Sequence, residues 1–244
     1  GSRFPDYISI DQWFSLRGVC ELNREGLGSG GLEVLACARH SQKLRRGQLA
    51  ANSFEITLRE HCDGGAEAQL EVLKTSGAPN YFGAQRFGWN NLTEAERWLK
   101  HRRRSRTSKF KQGLYLSVLR SFLFNEVLAG RVAAQNWDRP IDGDVLVEGE
   151  PTGPLWGRGR SATSGQAAHL ERAALESHLH ISEGLEYAGV DQGRRPLMLR
   201  AEEFSWEIGP GEIVTRFSLR PGGYATSFLG EVFRFLRTDE NDSF

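Results

Sequence analysis

Apolar and polar side chains alternate over Phe54–Arg59, so every second residue falls on one face, as in a half-buried strand. Leu32–Arg39 and the short apolar run Gln12–Leu16 also read as strands, separated by the glycine-rich loop Asn23–Gly31. Downstream the period changes. Ala66, Leu70 and Leu73 recur at helical spacing within Gly64–Ser76, and Gly77 supplies the stop. Leu92–Lys100 opens with Thr93 as candidate N-cap and Glu94 and Glu96 in the first turn, which predicts a helix. Leu114–Gln135 carries Leu116, Leu119, Leu123, Val127 and Leu128, the stripe of a long amphipathic helix.

Pro140–Ser164 is rich in glycine and proline and reads as loop with one short strand. Gln166–Leu179 returns to helical spacing. Pro196–Leu199, Phe204–Ile208 and Ile213–Leu219 read as strands, Pro221-Gly-Gly as a turn, and Thr226–Arg237 as a final helix or strand. Strands, then helices, then strands again predict an α+β fold whose middle helices form an inserted domain. Within this frame Ala78–Gly88 (Ala-Pro-Asn-Tyr-Phe-Gly-Ala-Gln-Arg-Phe-Gly) fits neither a core strand nor an ordinary surface loop. Its aromatic rings suit stacking, Asn80, Gln85 and Arg86 suit hydrogen bonding, and Gly83 and Gly88 allow close backbone approach. The mixture suits a pocket for a flat, polar heterocycle; the plainer reading is an irregular strand entering a turn.

This stretch resembles the signature of the TruD family of transfer-RNA pseudouridine synthases, and further segments follow in that family's order. They are Arg39-His40 with Lys43-Leu44-Arg45, Gly47, Asn52 and Leu58-Arg59; Arg120-Ser-Phe-Leu-Phe-Asn125 with Arg131; and Asp142-Gly-Asp144. Then come Pro151-Thr-Gly-Pro-Leu-Trp-Gly157, Arg194-Arg-Pro-Leu-Met-Leu199 with Trp206, and Leu219-Arg-Pro-Gly-Gly-Tyr-Ala-Thr-Ser227. The resemblance runs from about Gln12 to Val232. It implies a catalytic domain on a mixed, mostly antiparallel sheet, formed by residues 1–103 and 196–244, with a mainly helical family-specific domain inserted at 104–195. It also implies a transfer RNA lying between the two, a uridine at position 13 isomerised to pseudouridine, and no need of metal or cofactor.

In that family an aspartate in a Lys-Asp motif, shortly before a Gln-Trp pair, attacks or deprotonates at the sugar. Gln12-Trp13-Phe14-Ser15-Leu16 matches the downstream side, whereas Arg3–Ile10 contains no Lys-Asp. Asp6 is the nearest candidate carboxylate, one residue out of register, and Asp11 points to the wrong side. By the same match Phe82 stacks on the target uracil, Asn80 holds the carboxylate or backbone, Tyr224 packs beside the pocket, and Gln85 and Arg86 meet phosphate or base edges. Arg120 and Asn125, on the long helix, are expected to brace the two domains rather than touch RNA. The missing Lys-Asp, a short Val145–Glu150 segment, Gly230 in place of arginine and the lack of the family's first strands open an alternative. In it the chain is a catalytically impaired RNA-binding relative or a fragment, with an open sheet edge that invites self-association or a partner chain.

Composition adds a location and a charge map. Cys20, Cys37 and Cys62 are odd in number and form no Cys-x-x-Cys pair, so neither a zinc knuckle nor a disulfide framework is expected. No apolar run approaches membrane-spanning length, and a cytoplasmic protein is expected. Net charge is zero, yet residues 1–120 hold 19 Lys+Arg against 12 Asp+Glu and the remainder holds 12 against 19. Two acid-free clusters stand in the basic half. Arg39, His40, Lys43, Arg45 and Arg46 form one, and the Arg102–Lys111 run with Arg102, Arg103 and Arg104 forms the other; both are candidate phosphate contacts. His178 and His180 are two apart and diverge, which disfavours a metal pair.

Overall fold

The structure is a computed structural model that describes residues 50–59, 65–102 and 106–234. The expected strands at Gln12–Leu16 and Leu32–Arg39, the loop between them, all three cysteines and the end of the last expected element lie outside those residues. The chain separates into two units, Gly1–Ala50 and Ala51–Phe244, and the description below concerns the second.

The alternation read in the sequence is realised in β1 (Asn52–Arg59), where Phe54, Ile56 and Leu58 turn inward and Glu55, Thr57 and Arg59 outward. β1 pairs antiparallel with β8 (Glu212–Leu219), and β8 pairs with β7 (Glu202–Gly209), giving the order β1-β8-β7. β1 and β7 are the edge strands of this sheet among the described residues. Pro210-Gly211 links β7 and β8, with Gly211 at φ 75°, the left-handed position that glycine adopts without strain. The inner face packs rings: Phe54 stacks on its cross-strand partner Phe217 at 5.4 Å, and Phe204, Phe217 and Phe228 lie 5.2–5.6 Å apart. On the outer face Arg216 reaches Glu55 on one neighbour and Glu207 on the other, each at 2.6 Å. The helix α1 (Ala66–Ser76) closes this core with Leu70 and Leu73.

β2 (Ala78–Pro79) follows at once and pairs with β6 (Met198–Leu199). The short helix α2 (Ala84–Phe87), which the sequence did not suggest, lies inside the pocket motif. α3 (Asn91–His101) packs on α4 (Lys109–Ala133), the longest helix described. α4 begins five residues before the expected start at Leu114 because Ser108 caps it, its hydroxyl accepting from the Lys111 amide at 3.3 Å. A second core joins Trp98, Tyr115, Val118, Leu119 and Leu123 to Ile181 and Leu185. It takes in α3, which the expected boundary at 103/104 assigned to the first segment.

The glycine-proline stretch holds more order than expected. β3 (Leu146–Val147) and β4 (Glu150–Leu155) form a hairpin, and β4 pairs onward with β5 (Gly193–Pro196). Before it, the Arg131 guanidinium meets Asp144 at 2.8 and 3.0 Å and donates to the Asn136 and Arg139 carbonyls. Asp144 also accepts from the Ile141 amide at 2.8 Å, so one buried ion pair ties the loop to the end of α4. Gly143 sits at φ 80° with the Ser164 carbonyl where a Cβ would be, so only glycine fits between Asp142 and Asp144. α5 (Gly165–Leu175), a 3-10 turn (Glu176–His178) and α6 (Leu179–Tyr187) replace the single helix expected at Gln166–Leu179. The strand expected at Pro196–Leu199 is divided at Leu197, where the chain leaves β4 and joins β2. The last described helix is α7 (Ala225–Leu229), placing Phe228 and Leu229 in the sheet core. The fold is α+β with antiparallel sheets, as expected.

Candidate functional site

The pocket motif leaves β2 under tight backbone control. The Asn80 amide donates to the Leu197 carbonyl at 2.8 Å, and the Asn80 side-chain nitrogen donates to the Pro196 carbonyl at 2.8 Å. The Asn80 side-chain oxygen accepts from Arg195 Nη2. Asn80 is 6% exposed, and its amide is oriented by partners on both ends.

Phe82 is gripped differently. Its backbone N–H donates to Asn125 Oδ1 at 2.9 Å, and Asn125 Nδ2 donates back to the Phe82 carbonyl at 3.0 Å. Its ring stands edge-to-face against Phe124 at 5.5 Å and Tyr224 at 6.0 Å. Over the ring lies the Arg195 guanidinium, 4.1 Å from the centroid; the Arg86 guanidinium is 5.9 Å away. Tyr224 is delivered by the Pro221-Gly-Gly turn at the start of α7. Gly83 lets that helix come close, since a Cβ there would be 3.0 Å from the Ser227 hydroxyl and 3.3 Å from Tyr224 Cδ1. The structure thus brings Asn80, Phe82 and Tyr224 near one another, with Phe82 and Tyr224 in ring contact.

Arg195 joins all three, and sequence reasoning missed it as a site residue. Its Nη2 also donates to the Gly222 carbonyl at 2.9 Å, while Nε is buried without a partner. No carboxylate among the described residues lies within ion-pair distance of it. Burial pushes its pKa down to about 10, with nearby Arg86 adding to the shift and Tyr224 opposing it. It is therefore cationic at neutral pH. The signal was present: in the pair Arg194-Arg195 a strand must send one side chain to each face. Arg194 goes to Thr152 and to Glu171, the latter at 2.8 Å, while Arg195 goes to the pocket.

The remaining expected residues divide. Arg86 is held by the Ser121 hydroxyl at 3.1 Å and by Ser117, and Gln85 is exposed. Tyr81 is half-buried; burial, then Glu231 and Glu126, push its hydroxyl pKa up. Arg120 and Asn125 are braces: Arg120 donates to the Leu155 and Asp191 carbonyls at 2.8 and 2.9 Å. Arg102 is half-buried, its guanidinium 5.9 Å from the Trp98 ring, 5.7 Å from Tyr187 and 3.5 Å from the Ala188 carbonyl. Asp6, Arg39, His40, Lys43, Arg45, Arg46, Arg103 and Arg104 lie outside the described residues.

Beside the aromatic cluster a cavity of about 650 Å³ opens onto Asn80 and Arg195, rimmed by Glu148, Glu150, Arg200 and Arg220. Glu148 pairs with Arg220 at 2.6 Å and Glu150 with Arg200 at 3.2 Å, so this rim is internally neutralised. Phe82 and Tyr224 do not line it, and the stacking geometry, rather than the cavity, defines the site. Among the described residues no cluster of three His, Cys, Asp or Glu could hold a metal, and no helix is long and apolar enough to cross a membrane.

The family model of tRNA pseudouridine synthase D (TruD) matches residues 10–96. A tRNA pseudouridine synthase D of Methylococcus capsulatus is 40% identical over 255 positions, covering 92% of this chain and 72% of its own length. The chain belongs to the TruD family. A relative of the same name from Nitrosococcus oceani is 38% identical, with 91% of this chain and 71% of the relative covered. A crystal structure from Methanosarcina mazei assigned to tRNA pseudouridine synthase D superposes with a TM-score of 0.62 over 87% of this chain and 75% of that one. At 20% identity that likeness speaks for the TruD fold.

Proposed function

We propose that this chain is a TruD-type pseudouridine synthase, converting a uridine of transfer RNA, at position 13, to pseudouridine. The reaction breaks the bond between uracil N1 and C1′ of the ribose, rotates the base and joins C5 to C1′; the proton leaves C5 and N1 gains one. The observation that carries this reading is the convergence of Asn80, Phe82 and Tyr224 around one cation. Phe82, fixed at its backbone by Asn125, offers a stacking surface for the everted base, and such stacking contributes ~1–3 kcal/mol against an unstacking cost of a few kcal/mol. Asp6 is the proposed carboxylate at the sugar. Arg39, His40, Lys43, Arg45, Arg46, Arg103 and Arg104 are proposed to neutralise backbone phosphates. Arg102 is proposed as a further phosphate contact, although its guanidinium already lies against the Trp98 and Tyr187 rings.

The test is incubation with unmodified transfer RNA, followed by carbodiimide treatment and primer extension. A stop at uridine 13 that is lost in Asp6→Ala and in Phe82→Ala supports the reading. Retention of RNA with no stop in the unaltered chain overturns it in favour of a binding protein, and a steep fall of retention with salt identifies the phosphate contacts.

A further inference from the structure

Arg195 stands where a substrate pocket should be open. Its guanidinium carbon is 4.1 Å from the Phe82 centroid, within stacking range of one face of that ring. Phe124 and Tyr224 meet Phe82 at steep interplanar angles of 85° and 67°, and the Arg86 guanidinium lies over the ring at the longer distance of 5.9 Å. The guanidinium is itself immobilised by the Asn80 side-chain oxygen and the Gly222 carbonyl. A Cβ on Gly222 would lie 3.1 Å from Arg195 Nη1, so the turn before Tyr224 is shaped around the same group.

The geometry points to Arg195 as the positioning residue of the pocket: it closes one face of Phe82 and locks the Asn80 amide, which leaves the everted base at most one face of that ring to stack on. This rests on the reading of Phe82 as the stacking platform. A base offered one face has fewer positions open to it than a base offered two, and misplacement of a reacting group by about 1 Å costs on the order of 100-fold in rate. Arginine suits the role because its planar group stacks while its edge donates to two oxygens; lysine offers a point charge and no plane.

Arg195→Met keeps the apolar stem and removes the plane and the donors. It is expected to lower kcat for pseudouridine formation by about tenfold or more, with KM for transfer RNA changed less than about threefold. Arg195→Lys is expected to restore less than half of the lost activity. Phe82→Ala with Arg195→Met should be no slower than Phe82→Ala alone, because Arg195 acts through Phe82. Full activity in Arg195→Met overturns the proposal, as do multiplicative losses in the double variant. A rise in KM alone also overturns it, since that marks a phosphate contact. Should Arg195→Met not melt cooperatively, Arg195→Lys decides: wild-type kcat in that folded variant overturns the proposal. An unchanged rate in Phe82→Ala sinks the stacking platform itself, separately from Arg195.

Discussion

Replacing Asp144 by alanine isolates the Arg131 charge inside the protein. The two side chains are 3% and 2% exposed and meet at 2.8 Å, so neither retains its hydration. Removing one partner of such a pair destabilises by about 3–5 kcal/mol, because the other is left charged and unpaired. The Asn136 and Arg139 carbonyls still receive Arg131, which favours the lower end, but the Ile141 amide loses its acceptor, which favours the upper. For a chain of this size 1 kcal/mol shifts Tm by about 2–4 °C, so a fall of roughly 6–20 °C is expected by calorimetry or circular dichroism. Below the lowered Tm the variant should form pseudouridine at the wild-type rate, since the pair lies apart from Phe82 and Arg195. Arg131→Leu with Asp144→Leu should lose less stability than Asp144→Ala alone. A Tm within about 2 °C of wild type, or activity lost at temperatures where the protein remains folded, refutes the assignment of Asp142-Gly-Asp144 to loop anchoring.

Asn125→Leu removes both hydrogen bonds to the Phe82 backbone; a loss of about 1–3 kcal/mol by urea denaturation is expected, with kcat falling further than stability explains. Phe228→Ala empties a fully buried site among Phe204 and Phe217, and about 3–5 kcal/mol should be lost in the same assay. Burial pushes the Glu231 carboxyl pKa up, so the folded state favours its protonated form. The resulting penalty is absent below the unfolded value and grows as pH rises through the folded one. Glu231→Gln should therefore raise Tm slightly at pH 7 and leave it unchanged near pH 4, and an equal gain at both would contradict the sign. The same substitution removes one of the charges that raise the Tyr81 hydroxyl pKa, which should move partway back toward 10 in an ultraviolet titration while burial holds the rest.

Where a signal is local, the sequence carried it. The alternation of Phe54, Ile56 and Leu58 decides a face because each side chain is one residue from its opposite, and the expected strand matches β1. The stripe from Leu116 to Leu128 decides α4 but not its start, which Ser108 sets through one hydroxyl. The division at Leu197 is not local: Pro196-Leu-Met-Leu199 is uniformly apolar, and the change of partner from β4 to β2 depends on strands more than 40 and 110 residues away. At the site, Asn80, Phe82 and Tyr224 were legible because the resemblance carries them in order. Arg195 was not, because its role lies in three contacts made by segments at Asn80, Phe82 and Gly222. The Pro140–Ser164 stretch was read as loop because proline and glycine oppose strand formation in isolation; here Pro151 and Pro154 are buried in β4, each opposite one neighbour only, Leu146 of β3 and Arg194 of β5.

α4 supplies Ser117 and Ser121 to Arg86, Phe124 to the ring cluster and Asn125 to the Phe82 backbone, all within nine consecutive positions. The pocket floor is thus bolted to a single rigid rod at successive turns. The four supports therefore keep a fixed mutual register, and a substitution that bends the rod within Ser117–Asn125 would shift the stacking platform and the groups that hold it together.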